Sequence, residues 1–216
     1  MKFMRLASVA TIILATAFAG RSAAEVVYTK VNISIPVGGA YNIDLDQDGI
    51  TDFTLRSPLL QGYCQFGDGY VWTLTVIPAN GSGVVTDAGN TTSTNAGALQ
   101  NGVTVNYGQS FYAGTAVMAG LDWGFCGTGV LGEWLNLPNR YLGLQFKDAA
   151  NNVHYGWAKV STTAYVDQYG TLHASTVLSG FAYETTPNQG ILTGQVSDDQ
   201  SLQSGSLGAI SQKPGN

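Results

Sequence analysis

Residues 44–52 hold the densest chemistry in the chain. They read DLDQDGITD, so Asp44, Asp46, Asp48 and Asp52 place four of the 14 acidic side chains within nine positions. Carboxylates a few ångströms apart oppose one another's ionisation, and a hard dication removes that opposition. Calcium takes roughly six to eight oxygen ligands; alternate Asp residues turn their carboxylates to one point, and a glycine permits the sharp bend. On that spacing Asp44, Asp46 and Asp48 stand at loop positions 1, 3 and 5, and Ile50 offers its backbone carbonyl at position 7. Asp52 follows at position 9, directly or through water. The expected cofactor is calcium in a stabilising role, at the affinity of about 10⁻⁴–10⁻³ M common to extracellular modules.

Position 12 of the loop is Leu55, where an EF-hand places a bidentate Glu. The flanking residues 41–45 and 52–57 also read as strands. The loop therefore resembles the calcium loops of FG-GAP-type β-hairpins, although its single occurrence does not imply a propeller.

The remaining candidates are sparser. Cys64 and Cys126 are the only cysteines. In an oxidising compartment they are expected to pair, with two buried thiols as the alternative. The loop of about 60 residues so closed would restrict the unfolded chain by roughly 4 kcal/mol. Residues 122–139 (DWGFCGTGVLGEWLNLPN) carry Trp123 and Trp134 beside Cys126, and aromatic faces with a few polar groups suit stacking on sugar rings. Packing of both tryptophans in the core is the competing expectation. Asp122 and Glu133 in the same segment could form a glycosidase carboxylate pair. His154 and His173 both fall in strand-like runs and read as structural. No GxSxG elbow, HExxH helix, CxxC pair or phosphate-cradling glycine loop occurs.

The elements that must position these residues read as β throughout. Residues 25–35, 41–45, 52–57, 70–78, 103–107, 114–120, 141–147, 153–165 and 171–184 alternate or are rich in Val, Ile, Thr and Tyr. Gly, Asn and Asp clusters separate them, and no sustained helical period with caps at both ends appears. The reading is an all-β fold of eight to ten strands: a lectin-like antiparallel β-sandwich or jelly roll, one domain over 25–196. Within it, residues 79–101 (ANGSGVVTDAGNTTSTNAGALQN) read as a long polar surface loop.

The two ends read differently. Lys2 and Arg5 precede an apolar run over 6–19, and Ser22, Ala23 and Ala24 supply small residues for a cleavage site. This is the pattern of a secretory signal peptide over 1–24, too short for the roughly 20 apolar residues of a membrane span. Residues 197–216 have almost no aromatic or β-branched content and are expected to be disordered. The whole chain carries a net charge of −5. Removing Lys2, Arg5 and Arg21 with the leader leaves 6 basic side chains against 14 acidic ones, a net −8. So few basic residues argue against nucleic acid as a partner, and no later segment of the mature chain is long and apolar enough to be transmembrane.

A second signature lies in the carboxy-terminal half: YLGLQF over 141–146, HYGW over 154–157, GFAYET over 180–185 and GILTG over 190–194. With the acidic loop, this order resembles a family of secreted bacterial proteins of unassigned function that often end in a PEP-CTERM-type sorting tail. The resemblance spans about residues 41–194 and implies export and a β fold. Residues 204–216 (SGSLGAISQKPGN) depart from the sorting pattern, with neither its apolar helix nor its Arg cluster, so the resemblance carries no expectation of membrane sorting. The expected function is a secreted, calcium-stabilised, non-catalytic extracellular or cell-surface binding or matrix protein. A polysaccharide-binding module using the Trp-rich loop is the alternative, and a glycan-processing enzyme the third reading.

Overall fold

The computed structural model describes residues 25–87, 93–124 and 127–197. Those residues form fourteen strands and no helix. In chain order these are β1 (Val26–Ile35), β2 (Ala40–Ile43), β3 (Phe53–Arg56), β4 (Leu59–Cys64), β5 (Gly67–Pro78), β6 (Gly83–Val85) and β7 (Thr104–Val105). There follow β8 (Phe111–Tyr112), β9 (Ala116–Gly124), β10 (Gly129–Leu131), β11 (Arg140–Lys147), β12 (Val153–Val166), β13 (Leu172–Glu184) and β14 (Ile191–Leu192). The fold is all-β, as the alternation implied.

Two antiparallel sheets pack face to face as a sandwich. One runs β1-β13-β12-β11-β6-β8, and the other runs β10-β9-β5-β3-β2 with β4 also paired to β5. Alternation along the strands explains the core between them. Ile43, Phe53, Leu55, Trp72, Leu74, Val76 and Met118 of the second sheet meet Leu142, Leu144, Phe146, Ala158, Val160 and Leu178 of the first in one cluster. Burying a large apolar side chain of this kind stabilises by about 1.5–3 kcal/mol.

The aromatic signature occupies the middle of the first sheet, where β11 and β12 are buried on both faces. The short β7–β14 ladder and the segment after it cover the outer face. There Tyr141, Tyr155, Trp157, Ala182 and Ile191 form a second cluster, and the Trp157 Nε1–H donates to the Gln195 carbonyl at 3.2 Å. Tyr141 meets the Trp157 ring edge-on, with centroids 5.2 Å apart. HYGW and GFAYET pair across β12 and β13, Gly156 opposite Tyr183 and Trp157 opposite Ala182. A Cβ at Gly156 would come within 2.6 Å of the Ala182 carbonyl oxygen, which is why this position has none.

The described residues of 79–101 do not form the polar surface loop expected there. Its Gly-Val-Val core is β6, wedged between β11 and β8 with all three residues buried. Ala96 is fully buried and its N–H donates to the Val117 carbonyl at 2.9 Å. The segment packs because three consecutive small or β-branched residues are enough to fill a sheet position, whatever the polarity around them. The expected leader (1–24), Cys126 and residues 198–216 of the tail lie outside the described residues, and the pairing of Cys64 with Cys126 falls there with them.

Candidate functional site

The acidic loop joins β2 to β3 at one end of the sandwich. The β2–β3 ladder runs from Ala40 opposite Arg56 to Ile43 opposite Phe53, and the Asp52 N–H extends it by donating to the Ile43 carbonyl at 2.9 Å. Leu45 anchors the loop in the core at 1% exposure, and its N–H donates to Asp52 Oδ2 at 2.7 Å. The Asp52 carboxylate thus closes the loop from inside. Gln47 and Gly49 take left-handed backbone angles of 61° and 89°, which curl the chain between these anchors. Gln47 Nε2 also donates to Thr29 Oγ1 of β1 at 2.9 Å, tying the tip to the neighbouring sheet.

This curl brings Asp44, Asp46 and Asp48 together. One carboxylate oxygen from each lies within 4.8 Å of the others. The loop's own amides hold the remaining orientation: Gly49 N–H donates to Asp44 Oδ2 at 2.9 Å and Ile50 N–H to Asp48 Oδ1 at 2.7 Å. Asp44 Oδ1 is buried and has no hydrogen-bond partner. Burial, and then the Asp48 charge, pushes the Asp46 carboxyl above the usual carboxylate range. Burial also raises Asp52 to about 6, with the other three aspartates adding to the effect and the Leu45 amide opposing it. These are the electrostatics of a site lacking positive charge.

Of the five expected ligands, Asp44, Asp46 and Asp48 are gathered as the spacing implied. Asp52 stands beside that group with one oxygen committed to the Leu45 amide. Ile50 sits at the tip, its side chain 63% exposed. An all-oxygen, anionic donor set with an unpartnered buried carboxylate oxygen fits a hard cation such as calcium. No soft ligand is among the gathered side chains.

The Trp-rich segment gives a different outcome. Trp134 is fully buried and its Nε1–H donates to the Ala96 carbonyl at 2.8 Å. Trp123 is also buried; it stacks on Tyr70 with centroids 5.6 Å apart and donates to the Gly170 carbonyl at 3.1 Å. Both rings belong to the core cluster, so Trp134 is not placed to stack on a ligand and core packing, the competing expectation, describes it; Trp123 packs in the core and also lines the hollow described below. Trp123 sits at a buried position of β9, whereas Trp134 lies in the irregular segment between β10 and β11, so strand alternation alone does not reveal both placements.

A depression does exist at that end. It has a volume of about 460 Å³ and is lined by Asp122, Trp123, Thr128, Asn136 and Tyr165 among others. Two further hollows, of about 300 and 440 Å³, adjoin it through Trp123, Tyr165, Val37 and Leu172, so the three curve around the β12–β13 turn. Tyr165, 59% exposed, stacks flat on His173 at 4.7 Å. Sequence reasoning missed this pair, whose signal was an exposed aromatic opposite a histidine in adjacent strands. Asp122 lines the groove, but Glu133 lies on the exposed surface and does not.

The histidines are held by hydrogen bonds. His154 is buried, with Nδ1 2.9 Å from the Glu184 carbonyl and Nε2 3.3 Å from Asp148 Oδ2. His173 Nε2 lies 3.0 Å from Asp167 Oδ2.

No protein-family model, no curated protein and no solved structure matches the chain. Among the described residues no helix is long and apolar enough to cross a membrane.

Proposed function

We propose that this chain is a secreted, non-catalytic binding or matrix protein whose β2–β3 loop holds a stabilising calcium ion. The observation that carries the reading is the convergence of Asp44, Asp46 and Asp48 within 4.8 Å, beside an orphaned Asp44 Oδ1. Asp44, Asp46 and Asp48 would supply side-chain oxygens, and the Ile50 carbonyl and water are the expected further donors. The bound ion would offset two of the loop's negative charges and lock the hairpin; no chemistry on a substrate is asked of it. At a ligand concentration 100 times the dissociation constant, binding to the folded state alone adds about 2.7 kcal/mol. For a domain of this size that is a rise of about 5–10 °C in the unfolding midpoint. Thermal unfolding in calcium and in chelator, with calorimetric titration, tests this. The double variant Asp46→Asn, Asp48→Asn is expected to lose the calcium-dependent rise. Equal midpoints in calcium and chelator, with no heat of binding, would remove the reading.

Polysaccharide binding is the second reading, and the groove around the β12–β13 turn favours it. The exposed Tyr165 face and the polar groups of Asp122, Thr128 and Asn136 are the components that sugar recognition uses. An oligosaccharide array read with the native chain and with Tyr165→Ala tests it: selective binding lost in the variant supports the groove, and no binding discards it. The glycan-processing reading asks for two acids across one cleft, and only Asp122 of its pair lines the groove.

A further inference from the structure

Glu184 ends β13 with 2% exposure. Its Oε1 accepts two backbone N–H groups, from Thr186 at 2.8 Å and from Glu25 at 3.2 Å. Among the described residues the ion pairs are His154–Asp148 and His173–Asp167, so no lysine or arginine reaches this carboxylate. A buried carboxylate without a cation is expensive, and amide donors offset only part of that cost. The neighbouring groups do not help: His154 meets the Glu184 main-chain carbonyl, and the side chain of Glu25 is itself acidic.

The position of the Glu25 nitrogen is fixed. Val26 pairs with Glu184 in the β1–β13 ladder, and the Thr185 N–H donates to the Glu25 carbonyl at 2.9 Å. Residue 25 is also the first residue after the small-residue cleavage pattern of Ser22, Ala23 and Ala24.

We infer that export processing cuts the Ala24–Glu25 bond and that the new α-ammonium group of Glu25 forms a buried ion pair with Glu184. This rests on reading 1–24 as a secretory leader. The cut is a hydrolysis by an export peptidase: the C–N bond breaks, the hydroxyl of water goes to the Ala24 carbonyl carbon, and its proton goes to the Glu25 nitrogen. At neutral pH that amine takes up a further proton. One neutral N–H donor thereby becomes a full positive charge with three donors, at a nitrogen already 3.2 Å from the carboxylate oxygen. A cut one residue earlier leaves an amide at this place, and a cut one residue later removes the nitrogen. Processing thus completes the fold at this end and does more than release the chain.

Intact mass of the exported protein tests the cut, and a first residue other than Glu25 overturns it whether or not a free amine would pair. Separately, chains beginning at Glu25 with a free or an acetylated amine, and a chain retaining Ala24, are compared by thermal unfolding in the native and Glu184→Gln backgrounds. Blocking the amine or retaining Ala24 is expected to lower the midpoint by about 4 °C or more, and that loss is expected to vanish in Glu184→Gln. Equal midpoints in the native background, or the same loss in both, overturn the ion pair. Where Glu184→Gln does not fold, acylation of the amine decides: modification about tenfold slower in the native chain than in denaturant supports the pair, and equal rates refute it.

Discussion

Single side chains at the acidic end show how much local hydrogen bonding decides. Asp148 accepts the Asn152 N–H at 2.8 Å and its Nδ2–H at 2.9 Å, with His154 Nε2 at 3.3 Å. Asn152 first and His154 next hold its carboxyl down to about 2. A carboxylate whose folded pKa is depressed contributes stability that is present above its unfolded value, about 3.8 to 4, and is lost as the pH falls through about 2. Asp148→Asn is therefore expected to unfold at a lower temperature than the native chain at pH 6. The two melting curves should converge as the pH falls from 4 to about 2. A constant gap over that range would mean that the charge on Asp148 contributes nothing. The sequence announced the aspartates of residues 44–52 through their spacing alone. It could not announce that Asp52 would spend an oxygen on the Leu45 amide, because that bond depends on Leu45 being pulled into the core.

Among the elements, the long strands were the most legible, although the runs read at 41–45, 52–57 and 103–107 also cover the short β2, β3 and β7. The long strands β1, β5, β12 and β13 were evident from alternation and β-branched content, because ten or more residues carry the period-two signal clearly. The strands β4, β6, β8, β10 and β14 were not, being six residues or fewer and set among Gly, Ser and Asn. Their apolar positions become strand only when a neighbour supplies the ladder, as β11 does for β6. Gly156 is a glycine that close approach requires, and the Ala182 carbonyl is what approaches. Gly156→Ala places a methyl group 2.6 Å from that oxygen and 3.2 Å from Tyr183 Cβ, where β12 is paired with β11 on one side and β13 on the other. The expected cost is about 1–3 kcal/mol, a fall of several degrees in the midpoint, without loss of calcium binding. A variant as stable as the native chain would show that β12 and β13 can separate at this point.

At the scale of the molecule the two ends of the sandwich differ chemically. Strand β5 runs between them, from Gly69 opposite Gly124 near the groove to Pro78 opposite Phe53 beside the acidic loop. The nine steps from Gly69 to Pro78 make the separation roughly 30 Å at about 3.4 Å per residue. Charge collects at the loop end: burial raises the Tyr183 hydroxyl, and Asp46, Glu25 and Asp52 raise it further, which places β1, β13 and the loop in one electrostatic neighbourhood. At the groove end the exposed large side chains are apolar or aromatic, among them Val130, Tyr165 and Tyr169. Ionic screening over about 8–10 Å confines a bound cation's influence to its own end. Hydrogen exchange followed with and without calcium is therefore expected to show protection gained in peptides covering 43–53, 25–30 and 182–186. Peptides covering 120–124 and 165–173 are expected to exchange unchanged under conditions where local opening dominates. Local openings at the loop end expose like charges to one another, and the ion suppresses those openings specifically. A uniform slowing across both ends would mean that calcium acts only through global stability, and the loop would then have no local opening for the ion to suppress.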